Sequence, residues 1–154
     1  MNARHLTGSA LSKWALGLCA VSLGVAAHAH ITVSPKESKL GKQETYTFTI
    51  PTEGSVATTG VEIDVPPEVT IISIGGDPAS YSVKKDGDRV VMISWTVNIP
   101  PGGGQQVTLV ARNPTVPTRR LRWNAHQLFA DGTRTSWSEL PPAKPAPLVR
   151  MLAE

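Results

Sequence analysis

The sequence has a single cysteine, Cys19, among 154 residues, so an intrachain disulfide framework is excluded. Beyond the first thirty residues no run is long and apolar enough to cross a bilayer. Thirteen prolines are spread along the chain. Each removes a backbone donor and clashes inside a helix, so long helices are not expected. There is no G-x-S-x-G turn, no H-E-x-x-H pair and no glycine loop that opens a helix for phosphate. Pro100-Pro101-Gly102-Gly103-Gly104 lies between two strand-like runs and reads as a turn. A hydrolytic site needs a nucleophile, a base and an orienting group brought together. Only two histidines, His30 and His126, lie beyond residue 29, and the carboxylates are scattered. These absences argue against an enzyme. What remains is a chain with 40% hydrophobic residues, enough for one core and too many for a disordered segment.

The first 29 residues have the three-part plan of a secretory signal. Arg4, His5 and Lys13 make a basic, polar start, and a mostly apolar run follows from Trp14 to Ala27. Ala27-His28-Ala29 is a small-x-small cleavage site, and the competing reading is an uncleaved N-terminal anchor. Leu18 precedes Cys19 where a lipoprotein would carry a small residue, so the cysteine reads as apolar filler. Cleavage after Ala29 leaves 125 residues. Arg4 and Lys13 leave with the signal, so thirteen of the fifteen Lys and Arg remain against twelve acids, a net charge of +1. No basic run remains to suggest a nucleic-acid partner. The expected location is periplasmic or secreted, with no membrane anchor after cleavage.

The remainder reads as short strands. Glu44–Ile50 alternates cleanly, with Tyr46, Phe48 and Ile50 on one face and three threonines on the other. Val61–Val65 alternates and stops at Pro66-Pro67. Further candidates are 30–33, 69–74, 81–84, 89–97, 106–111, 121–129 and 133–137, the last two forming a hairpin around Asp131-Gly132. Strands at about ten-residue intervals point to an all-β, immunoglobulin/fibronectin-III-like antiparallel β-sandwich of about nine strands. The organisation expected is a signal at 1–29, one domain at 30–148 with an extended proline-rich finish, and a tail at 149–154.

Two residue placements carry chemistry. His30 becomes the N-terminus after cleavage and offers two nitrogens at one position, the α-amine and ring Nδ1, which together can chelate one metal ion. An α-amine has a pKa near 7.7–8.0, so a metal can displace its proton close to neutrality. Nitrogen-rich sites favour Cu(II) among divalent first-row ions. His30 shares a strand face with Thr32, opposite Ile31 and Val33, and so belongs on a polar, accessible face. A two-residue loop at Asp131-Gly132 would pair Phe129 with Arg134 and His126 with Trp137. That register predicts His126 and Trp137 side by side on an exposed or rim face.

These residues resemble a known family. His30-Ile-Thr-Val-Ser-Pro35 directly after a signal resembles the start of YcnI-like copper-binding domains. Thr58-Thr59-Gly60 with the strand to Val65 and the turn Pro66-Pro67 resembles the middle of that family. Gln127 through Gly132 to Trp137-Ser-Glu139-Leu-Pro141 resembles its closing stretch, and Lys144–Pro147 its proline-rich finish. The resemblance implies a fibronectin-like sandwich that binds one Cu(II) outside the cytoplasmic membrane. The N-terminal histidine would hold the copper through amine and imidazole. A tryptophan, here Trp137, stands beside it, and a glutamate completes the family site. The glutamate's place is taken here by Gln106, a neutral and weaker oxygen donor. Glu44, Glu139 and His126 are alternatives, the last giving a two-histidine brace. The expected function is an exported copper chaperone or buffer in copper homeostasis, with a membrane copper transporter or other copper-handling protein as partner. A metal-free interaction module and a copper monooxygenase using His30 and His126 are the competing readings.

Overall fold

The structure is a computed structural model that describes residues 30–139 and 144–153. The signal expected at 1–29 and part of the proline-rich stretch, residues 140–143, lie outside the described residues. Twelve strands follow one another: β1 (Thr32–Ser34), β2 (Glu37–Lys39), β3 (Gln43–Pro51), β4 (Thr58–Asp64), β5 (Thr70–Ile74), β6 (Tyr81–Asp86), β7 (Arg89–Ile99), β8 (Gly104–Arg112), β9 (Arg120–Arg122), β10 (Ala125–Phe129), β11 (Arg134–Trp137) and β12 (Leu148–Leu152). The only helical turn among the described residues is a short 3-10 segment at Pro78–Ser80. None of their helices is long and apolar enough to cross a membrane.

The strands form a four-stranded sheet in the order β1-β3-β8-β5, a five-stranded sheet β11-β10-β4-β7-β6 and a small sheet β2-β12-β9. All pairings are antiparallel except β12 with β2. The all-β expectation holds, with twelve strands in place of nine. The three additional strands, β2, β9 and β12, make up the small sheet. The segment expected as a tail contains most of β12, whose Arg150, Met151 and Leu152 pair with Glu37, Ser38 and Lys39. The long strand expected over 121–129 is broken at Trp123-Asn124, where the chain leaves the small sheet for the five-stranded one.

Period-two alternation fixes the core. Tyr46, Phe48 and Ile50 of β3 are fully buried, as are Val61 and Ile63 of β4 and Ile93 of β7. The residues between them point outward, so the two larger sheets bury one face each. Trp123 is fully buried at the junction of the sheets. Its ring lies 5.2 Å from Tyr46 and 5.4 Å from Phe48 between centroids, tilted or edge-on, the geometry that aromatic quadrupoles favour.

A buried polar network anchors β2 to this core. The Tyr46 hydroxyl donates to Asn113 Oδ1 at 2.6 Å, and Asn113 Nδ2 donates to Ser38 Oγ at 2.9 Å and to the Lys39 carbonyl at 2.8 Å. Ser38 in turn donates to Glu44 Oε2 at 2.7 Å, which also accepts from Lys42 Nζ at 2.7 Å. Partial burial acts to raise the Glu44 carboxyl pKa. The hydrogen bonds from Lys42 and Ser38 and the Lys42 charge outweigh it and hold the group below its ordinary value of 4.5.

Two outcomes follow. Tyr46→Phe strands the Asn113 carbonyl in the interior and lowers unfolding free energy by about 1–3 kcal/mol in denaturant titration. The Glu44 contribution is present above pH 4.5, where the unfolded carboxyl is ionised, and is lost as pH falls through the lower folded value. Thermal melts of Glu44→Gln against the parent below pH 4.5 should therefore show a shallower acid limb in the variant.

Candidate metal centre

β1 is an edge of the four-stranded sheet, and β11 is an edge of the five-stranded one. Ile31 and Val33 bury their side chains and Thr32 faces solvent, which seats β1 against the core. His30, one residue ahead of Ile31, is half-buried. Its ring meets the Trp137 ring edge to face, with centroids 5.3 Å apart and planes at 74°. The contact spans the two sheet edges. The expected company of His30 and Trp137 is thus present. Trp137 itself is buried, 8% exposed, and its indole Nε1 has no hydrogen-bond partner among the described residues.

The expected neighbour of Trp137 is different. β10 pairs with β11 so that Ala125 faces Trp137, His126 faces Ser136 and Leu128 faces Arg134. The predicted His126–Trp137 pairing is therefore off by one residue, and the cause lies in the turn. Phe129 N–H donates to the Thr133 carbonyl, and Gly132 N–H donates back to the Phe129 carbonyl. The loop thus has three residues, Ala130, Asp131 and Gly132, and Gly132 has φ +83°. A three-residue loop with glycine in the left-handed region is the next most common hairpin after the two-residue form assumed from the sequence. Asp131 Oδ1 accepts from the Thr133 amide at 2.9 Å and its hydroxyl at 2.6 Å, which fixes this turn. A slip of one residue moves a side chain to the other face. Trp137 therefore turns to the interior, while His126 stays on the outer face where it was expected.

On that outer surface His126 is engaged at both nitrogens. Nδ1 lies 2.9 Å from Ser136 Oγ and Nε2 lies 3.2 Å from Asp64 Oδ2. Beside it Arg134 pairs with Glu62 at 2.8 Å. These contacts cross β11, β10 and β4 and staple the edge strand that carries Trp137. The structure does not bring His126 to the His30–Trp137 contact.

The other expected oxygen donors are placed as follows. Gln106 lies on β8, two strands from β1 (roughly 10 Å between strand axes), and its Nε2 donates to Thr49 Oγ1 on the intervening β3 at 3.2 Å. Glu44 is committed to Ser38 and Lys42. Thr32 pairs with Thr49, so continuing the register sets His30 beside Pro51. Glu44 lies seven residues away along the same strand, roughly 23 Å at about 3.3 Å per residue. Glu139 is exposed, follows Trp137 by two residues, and bridges to Pro145 through the backbone. Among the described residues no three His, Cys, Asp or Glu side chains converge as a metal site.

Sequence reasoning missed one group beside this contact. Gln127, 2% exposed, donates from Nε2 to the Pro51 carbonyl at 2.9 Å and to Thr58 Oγ1 at 2.7 Å. Thr58 Oγ1 lies 2.6 Å from Thr52 Oγ1, and both threonines are buried. Gln127 and Thr58 belong to stretches that carry the family resemblance, but nothing in their spacing joins them.

The antiparallel sheets define an immunoglobulin-like β-sandwich. A protein from Nocardia farcinica whose crystal structure has an immunoglobulin-like fold superposes with a TM-score of 0.68 at 23% identity, over 80% of this chain and 98% of that one. A non-cellulosomal cohesin from the hyperthermophilic archaeon Archaeoglobus fulgidus gives a TM-score of 0.48 at 12% identity, over 80% of this chain and 90% of that one. No family model matches the chain. A Bacillus subtilis (strain 168) protein, copper-binding protein CutI, is 34% identical over 138 residues, 83% of this chain and 67% of the relative. The chain belongs to this YcnI-like copper-binding family.

The outer staple makes a prediction. His126→Ala leaves the Asp64 and Ser136 side chains without their partner and lowers stability by about 1 kcal/mol in chemical denaturation. Cu(II) titration of the same variant should match the parent, because His126 is turned away from His30 and Trp137.

Proposed function

We propose that this protein is an exported Cu(II)-binding protein that carries copper as cargo, as a periplasmic chaperone or buffer, and holds it at the mature N-terminus. The single observation that carries the reading is the packing of the His30 ring on Trp137 at the joined sheet edges. Copper binding by the B. subtilis relative supports the choice of metal.

The donor chemistry fits a terminal site. With no three ligating side chains converging among the described residues, a metal held here must draw on something besides side-chain clusters. Cleavage after Ala29 would supply it, because the new α-amine sits on the same residue as the imidazole. Two nitrogens of one residue then bind together, and the strand entry at Ile31 and Val33 limits how far that residue can move. Trp137 bounds one side of the imidazole and excludes water from it. Gln106 and Glu139 remain the candidate oxygen donors from the chain. A neutral amide at Gln106 would leave the copper less tightly held than a carboxylate would, which suits cargo that must be passed to a transporter or another copper-handling protein.

The test uses two purified proteins. One begins at His30, and the other carries one extra alanine before it. Cu(II) titration with electron paramagnetic resonance should show one tight nitrogen-rich site in the first and its loss in the second. Equal binding in both, or none in either, would end the terminal-site reading and leave a sandwich that acts by protein contact. His30→Ala should behave like the extended form.

A further inference from the structure

We infer that the buried Gln127–Thr58–Thr52 chain is a positioning clamp that sets the separation of His30 and Trp137. The inference rests on the copper reading for its purpose but not for its geometry.

The three side chains join strands of opposite sheets at the end where His30 enters. Thr52 follows β3 in the four-stranded sheet, whereas Thr58 on β4 and Gln127 on β10 belong to the five-stranded one. The link has three contacts, at 2.6, 2.7 and 2.9 Å, the first two buried and the third, to Pro51, partly buried. The link ties together β3 and β10, the strands that neighbour the carriers of His30 and Trp137. Toward β1, Gln127 grips the carbonyl of Pro51, the residue beside which the extended register places His30. Toward β11, Gln127 is two residues from Ala125, which faces Trp137, and itself faces Thr135. Gln127 and Trp137 are thus diagonal neighbours on one inner face, within reach of long side chains.

Among the described residues no hydrogen bond holds the indole of Trp137, so its ring is located by packing and by the strand beneath it. The spacing between the two sheets at this end then determines whether the His30 and Trp137 rings meet. An apolar filler would bury area here without fixing that spacing. A hydrogen-bonded chain fixes it, because each donor must find its acceptor within a few tenths of an ångström. Groups that orient a metal-binding residue in this way commonly alter affinity by 10–100-fold when removed.

The experiment compares the mature protein with Gln127→Met and Thr58→Val, which keep volume and remove the donors or the hydroxyl. Thr58→Ser restores the hydroxyl, and Asn113→Ala is a control that breaks the other buried network. The first readout is metal-free. Proton resonances of the His30 ring, displaced by the Trp137 ring, should move toward solvent-exposed values in Gln127→Met and Thr58→Val. They should stay in place in Thr58→Ser and in Asn113→Ala. The second readout is Cu(II) affinity, which should fall by about 10-fold or more in the same two variants only. Unchanged His30 resonances in both Gln127→Met and Thr58→Val overturn the clamp. So does an equal displacement in Asn113→Ala, which would reduce the effect to lost stability. If the resonances shift as expected while the parent binds no copper, the clamp stands and the copper reading fails.

Discussion

Trp123 is the residue on which the three sheets converge. Its backbone follows β9 of the small sheet and leads into β10 of the five-stranded one, and its ring packs on Tyr46 and Phe48 of the four-stranded sheet. Its amide donates to the Pro147 carbonyl just ahead of β12. A fully buried indole with two aromatic neighbours is costly to displace, on the order of 3–5 kcal/mol for truncation to alanine. Because β10 starts two residues later, the seating of Trp123 also fixes where β10 begins. That starting point determines which residues of β10 face inward, and so which residue of β11 faces His30.

The site follows from this arrangement by short steps. Ala125 faces inward and opposes Trp137, a small residue under a large one, which leaves room for the indole within the sandwich. Gln127, next on the same face, spends its amide on Pro51 and Thr58. On the reverse face His126, Asp64, Ser136, Arg134 and Glu62 bind the strands together from outside. The edge strand β11 is thus gripped on both faces, and the tryptophan it carries is presented to His30. A chain with few aromatics and two histidines beyond residue 29 uses one of each at this contact.

Much of the fold was legible because period two leaves a strong trace. Tyr46, Phe48 and Ile50 were expected on one face and are buried together, and Val61 and Ile63 likewise. The small sheet was not legible. β2 and β9 have three residues each, too few to show alternation, and β12 pairs across the whole length of the chain. At the site, His30 and Trp137 were each readable, one from the cleavage pattern and the other from the closing motif. The placing of His126 beside Trp137 was misread, because the Ala130–Gly132 turn adds one residue to the loop and turns Trp137 to the inner face. Asn-Gly or Asp-Gly marks a hairpin but does not by itself say whether the loop has two residues or three. Gln127 was invisible for another reason: its partners Pro51 and Thr58 come from distant strands, and only the packed sandwich joins them.

The pairing of β2 with β12 has a consequence for the order in which the domain is made. Glu37–Lys39 emerges early, yet its sheet partner Arg150–Leu152 emerges more than one hundred residues later. Until then β2 has no strand to pair with, β9 is equally alone, and Trp123 lacks the acceptor at Pro147. Assembly of the small sheet therefore waits for the last strand. Contacts of such long sequence separation are the slow ones to form, so β2, β9 and the Trp123 amide are the last groups of the fold to find their partners.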